Sequence, residues 1–175
     1  ARDHSLDELR VSHAQNIVGR TAQSAPKLTR TGATTMTPTT LQALRRLLFF
    51  SRQEAALLVA ASAECPQGVS DQQWQRWENG EQPIPVDLAR KITELVDWRA
   101  TALAATADAI RQQIKDKGGI PEAVFIIWYD SLDDWKSLPN RDPLMCRIQQ
   151  AVCAALAGMV STVCLVRFDA AAIAA

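Results

Sequence analysis

Residues 70–85 read S-D-Q-Q-W-Q-R-W-E-N-G-E-Q-P-I-P, from Ser70 to Pro85, and bracket a short helix whose two ends are set by chemistry. Ser70 with Gln73 three residues on is a capping box, Gly80 supplies a left-handed stop, and Pro83 and Pro85 forbid continuation. Wound at the helical period, Trp74 and Trp77 share one side, which is expected to be buried. Gln72, Gln75, Arg76 and Asn79 fall on the opposite side, with no apolar residue among them.

Amide and guanidinium groups pair bidentately with base edges, Arg with guanine and Gln or Asn with adenine, at ~1–3 kcal/mol of discrimination per good pair. The row is therefore expected to be the reading face of a recognition helix. A solvated polar face is the plainer alternative, and the flanking sequence has to decide.

At 175 residues with 47% hydrophobic content, the chain suits one domain, or a small domain with an appendage. Basic and acidic side chains number 19 each, so no overall field draws the protein to nucleic acid or an anionic membrane. Residues 36–98 carry six positive against eight negative side chains, which argues against non-specific phosphate binding. A DNA reader of this kind relies on a few placed cations and on base contacts.

Cys65, Cys146, Cys153 and Cys164 form no C-x-x-C pair and neighbour no histidine, so zinc and redox motifs are excluded. All four are expected to be reduced, small apolar residues of a cytoplasmic protein. The start, Ala-Arg-Asp-His, has no apolar h-region. Ala151 to Val166 is the one long apolar run and falls short of the ~18–20 residues a membrane span needs, so a core helix plus tail is expected.

Residues 1–35 are expected to be a disordered extension. Thr37-Pro38 starts a helix carrying Leu41, Leu44 and Leu48, which runs to about Phe50. Ser51 and Glu54 form a second capping box, opening a helix through Ala55, Ala56, Leu58 and Val59 whose small residues allow close packing. Ala61 to Val69, with Pro66 and Gly68, is a loop. The tryptophan helix follows.

This is the order of a helix-turn-helix. Residues 41–85 resemble the Cro/C1-type (XRE-like) family through Leu44-Arg45, Glu54-Ala55-Ala56 and the W-E-N-G block followed by prolines. The resemblance implies a structural ion pair between Arg45 and Glu78, and the winding agrees, since Glu78 lies beside the tryptophan face. Arg52 and Gln53, at the start of the second helix, and Ser70 are expected to position the DNA backbone. One departure is the loop before the third helix, longer than the usual 3–4 residues.

From Val86, Leu88, Ile92, Leu95, Leu103, Ile110 and Ile114 mark a long amphipathic helix ending at Lys117-Gly118-Gly119. Ala123 to Tyr129 is a short apolar, β-branched run, expected to be the one strand of the chain. A solitary strand is not stable, so its expected partner is the same strand of a second copy, with intrachain pairing to a loop segment as the alternative. Asp133 to Trp135 suggests a brief helix, and Asp142-Pro143 starts a last helix with an apolar stripe of Met145, Ile148, Val152, Leu156 and Met159.

With these elements the resemblance extends from Met36 to about Gly158 and sharpens. The aromatic strand, Leu132-Asp-Asp-Trp135, and Arg147-Ile148, Gln150, Val152 and Leu156 look like the YdiL-like regulators and the related anti-CRISPR-associated repressors. That family joins a helix-turn-helix to a small dimerising C-terminal region.

The expected fold is mainly α: an extension over 1–35, a helix-turn-helix DNA-binding domain over 36–98, a small α+β dimerisation region with one short strand and a terminal helix over 99–159, and a tail over 160–175. Val124, Phe125, Ile126, Ile127, Ile148, Val152 and Leu156 are the expected dimer interface. The expected function is a homodimeric, sequence-specific transcriptional regulator, a repressor of its own promoter reading an inverted repeat in double-stranded DNA. The resemblance also implies structured RNA as an added ligand. The alternative is an antitoxin-like protein-interaction module. An enzyme is not expected: residues 36–175 contain no histidine, no nucleophile motif and no glycine-rich phosphate loop, and adjacent Asp133 and Asp134 point apart. No cofactor, metal or membrane partner is expected.

Overall fold

Thr37 begins the first helix, α1 (Pro38–Leu47): its hydroxyl accepts the Thr40 N–H at 3.1 Å, and Pro38 supplies a pre-set first turn. The computed structural model describes residues 36–116, 118–119 and 123–169, so the expected extension over 1–35 lies outside the described residues. Ser51 opens α2 (Arg52–Glu54) with a complete capping box, its Oγ accepting from the Glu54 N–H at 3.1 Å while Glu54 Oε2 accepts from the Ser51 N–H at 2.9 Å.

Residues Ala55–Val59 continue α2 as a π-helical turn. The cause is a competing donor. Val69, from the far end of the following loop, donates its N–H to the Ala56 carbonyl at 2.9 Å, so the Ala60 N–H reaches one residue further back, to the Ala55 carbonyl at 3.1 Å. Gly68 makes that approach feasible, since a Cβ there would sit 2.2 Å from the Ala56 oxygen, and its φ of 72° is left-handed. Lys91 Nζ adds a hydrogen bond to the Ala61 carbonyl at 2.9 Å. The loop is thus ordered by backbone contacts despite its length.

The third helix, α3 (Asp71–Glu78), starts at Ser70, whose Oγ accepts from the Gln73 N–H at 3.1 Å. The expected capping box is only half formed: Gln73 Nε2 donates to Gln82 Oε1 at 2.5 Å, a partner beyond the helix's end that local spacing does not reveal. Gly80 ends the helix with φ 77°. Then come α4 (Val86–Asp116), β1 (Val124–Trp128), α5 (Leu132–Lys136), α6 (Met145–Met159) and β2 (Val163–Arg167).

The fold is mainly helical with a small two-stranded parallel sheet. The expectation of a single strand is therefore corrected. β1 pairs within the chain to β2, in register from Val124 beside Val163 to Trp128 beside Arg167. A parallel pair needs a long crossover, which α5 and α6 supply. The run from Ala151 to Val166 hid the strand because only Ser161 and Thr162 separate its helical residues from its sheet residues, at the turn over residues 160–162.

Two compact units emerge, divided between Arg99 and Ala100. Residues 36–99 with 143–151 form one, and residues 100–142 with 152–169 the other, within the described residues. The first part of α6 falls in the same unit as the N-terminal helices, and residues 163–167 form a strand.

The first unit's core gathers Leu41, Leu48, Val59, Trp74, Ile92 and Ile148. Trp74 and Trp77 meet edge to face at 5.9 Å. Burying an indole removes ~150–250 Å² from water, about 4–6 kcal/mol as an upper bound, so α3 is held chiefly by this face. In the second unit Tyr129 packs between Trp135 and Phe168, with ring centroids 5.2 and 4.8 Å away. Trp135 Nε1 donates to the Asp142 carbonyl at 2.8 Å, and the Arg141 guanidinium lies 4.5 Å over its ring.

All four cysteines are free thiols; Cys146 and Cys153 are buried, whereas Cys65 and Cys164 are exposed. Among the described residues no helix is long and apolar enough to cross a membrane, and no cluster of three His, Cys, Asp or Glu is placed to hold a metal ion.

Candidate nucleic-acid interface

The inward side of α3 is fully committed. Trp74 is completely buried, and its indole N–H donates to Glu78 Oε1 at 2.7 Å. Arg45 reaches Glu78 from α1 with two prongs, Nε to Oε1 at 2.6 Å and Nη2 to Oε2 at 3.1 Å, while its Nη1 donates to the Phe50 carbonyl at 2.9 Å. Burial alone would raise the Glu78 carboxyl, but hydrogen bonds from Arg45 and Trp74 outweigh it and hold the group below its ordinary range.

The outward side is different in kind. Gln72 and Gln75 are exposed and Arg76 half-buried, and among the described residues none of the three side chains makes a hydrogen bond or ion pair. Asn79, also exposed, donates its amide to Glu81 Oε1 at 2.9 Å and is partly occupied. Three polar side chains thus lie along one helix face, with the packed Trp74–Trp77 pair on the other.

At the start of α2, Gln53 is exposed and its side chain makes no hydrogen bond among the described residues. Arg52 is engaged: Nε lies 2.7 Å from Asp71 Oδ1 and Nη2 2.8 Å from Asp71 Oδ2. That hydrogen-bonded pairing, opposed by slight desolvation, holds the Asp71 carboxyl below its ordinary range. Ser70 uses its hydroxyl as the α3 cap.

A further tie fixes the α2 start from the other side. Arg147 of α6 places Nη2 2.7 Å and Nε 2.8 Å from Glu54 Oε1, and its Nη1 donates to Gln150 Oε1 at 2.8 Å. Burial works to raise the Glu54 carboxyl, yet Arg147 and Ser51 hold it below its ordinary range.

Sequence reasoning assigned no role to Asp71 and Gln82 and did not pair Arg147 with Glu54. The Arg52–Asp71 pair was signalled only by opposite charges at the starts of consecutive helices. The Arg147–Glu54 pair spans 93 residues, beyond any local pattern.

The expected dimer residues separate into two groups. Ile148, Val152 and Leu156 have no exposed surface within the single chain. Ile126 is likewise buried. Phe125 is 43% exposed, and its register partner Cys164 and nearby Val166 are exposed on the same sheet face.

The family model described as Aca2/YdiL-like matches residues 36–164. The chain is similar to the Aca2 repressor of Pectobacterium phage ZF40, with 30% identity over 120 residues, covering 68% of this chain and 90% of that protein. With the family model matching well over half of its length, the chain belongs to the Aca2/YdiL-like family.

Proposed function

We propose that this protein is a sequence-specific DNA-binding transcriptional repressor, acting as a homodimer on an inverted repeat. In this reading α2 and α3 are the two helices of a helix-turn-helix, and α3 enters the major groove. The observation that carries it is the division of α3: one face locked by Trp74, Trp77 and Glu78, the other offering Gln72, Gln75 and Arg76 without intramolecular partners among the described residues. Such a face is rigid, polar and able to form bidentate base contacts.

Kinship with a protein named as a repressor supports a repressing role. Gln53 and the Ser70 backbone would meet phosphates at the flanks of the site. The apolar sheet face bearing Phe125, Cys164 and Val166 is the surface a second copy would cover, and a two-fold dimer of this kind reads half-sites about one DNA turn, ~34 Å, apart.

The test is selection of bound duplexes from a random DNA pool at near-physiological salt. A palindromic motif with two equal half-sites is the expected result. A folded protein that enriches no motif overturns the reading.

A further inference from the structure

We propose that Arg52 and Asp71 form an orienting clamp between the two helices of the reading unit, and that Arg52 acts as a positioning residue rather than a phosphate anchor. This deepens the DNA-binding reading above and rests on it. Three observations carry the inference. The connection between the helices, residues 61–69, is longer than the usual 3–4-residue turn, so covalent geometry alone does not set their angle. The pair joins their two N-termini directly, through parallel contacts of 2.7 and 2.8 Å that match the fixed fork of a guanidinium to both carboxylate oxygens. Finally, each end is itself anchored: Glu54, two residues after Arg52, is held by Arg147, and Gln73, two residues after Asp71, is held by Gln82.

The clamp also answers a problem of charge. Asp71 sits in the first turn of the helix that would approach DNA, where a bare carboxylate suits the helix dipole but repels phosphate. Arg52 neutralises it in place. The acidic residue then stabilises α3 without opposing its entry into the groove.

The experiment uses the full chain and the duplex selected as above, with a scrambled duplex for comparison, and follows binding across a salt series. Arg52→Ala and Asp71→Ala are each expected to lower the ratio of specific to non-specific affinity about ten-fold, and the double variant to lower it no further. The slope of log affinity against log salt stays unchanged in the double variant, which removes both charges of the pair. Arg52→Lys, which keeps the charge but loses the fork, is expected to behave like Arg52→Ala.

A phosphate anchor gives the opposite pattern, which would overturn the proposal: Arg52→Ala flattens the salt slope by about 0.9 and weakens both duplexes alike, Asp71→Ala strengthens binding, and Arg52→Lys is near wild type. A DNA-free readout separates the two levels of inference. By carbon-detected NMR the Asp71 carboxyl should titrate below the usual Asp range and return to it in Arg52→Ala. If it does so while the wild type selects no duplex, the DNA reading fails and the orienting role with it. If the wild type selects a palindrome but Asp71 titrates normally, the clamp alone fails.

Discussion

Arg45 and Glu78, 33 residues apart in the chain, meet in a nearly buried two-pronged ion pair whose shared oxygen also takes the Trp74 indole N–H. The side chains are only 11% and 4% exposed, so neither charge has water to fall back on. Removing one partner of such a pair costs about 3–5 kcal/mol. Glu78→Ala should therefore unfold at markedly lower urea concentration, while duplex selection below its melting temperature returns the wild-type motif. An altered motif with an unchanged unfolding midpoint would show that Glu78 reads bases.

Acid should attack the same pair. Glu78 and Glu54 are held below the ordinary carboxylate range in the folded protein. At pH values near and below ~4.3 the unfolded chain then binds protons that the folded chain does not. The stability they contribute is complete above that range and is lost as pH falls through their folded values. Unfolding free energy measured from pH 7 to pH 3 should drop in this window, and the drop should shrink in Glu78→Gln. An equal drop in the variant would place the acid sensitivity elsewhere.

Among the described glycines, Gly68 is the one least able to accept a side chain. An added Cβ would meet the Ala56 and Leu57 carbonyl oxygens at 2.2 and 2.6 Å, and φ is 72°. Gly68→Ala should cost at least ~2 kcal/mol, since positive φ and backbone overlap act together. Gly158, with open space around it, is the control, and Gly158→Ala should leave the urea midpoint nearly unmoved.

Arg76 is the strongest candidate for direct readout. Arg76→Ala should weaken binding to the selected duplex by about ten-fold or more, with little effect on a scrambled duplex, because a bidentate guanine contact is worth ~1–3 kcal/mol. Titrations of both duplexes decide it. Equal loss on the two would make Arg76 a backbone contact.

The open sheet face gives a prediction about assembly. Val166→Glu, at an exposed strand position, should leave the fold intact and convert a dimer into a monomer in sedimentation equilibrium. A persistent dimer would move the interface to another surface.

What the sequence disclosed follows the range of the interactions involved. The first three helices were legible because Thr37, Ser51 and Ser70 cap them locally, and the two-sidedness of α3 follows from its period alone. Spacing cannot disclose partners brought together by tertiary folding: Val69 to Ala56, Gln73 to Gln82, and Arg147 to Glu54. β2 escaped for a related reason. Val163 to Val166 are ordinary apolar residues, and the pairing with β1 that makes them a strand is a long-range contact.

The joining of β1 to β2 also imposes an order in time. Val124 meets a partner that is synthesised later, at Val163, and the Trp74 core waits for Ile148, so neither unit can be completed while the nascent chain is short. During that interval β1 has no β2 beside it, a bare edge of the kind that recruits other chains. Premature termination between Trp128 and Val163 should thus release an aggregating fragment instead of a smaller working regulator.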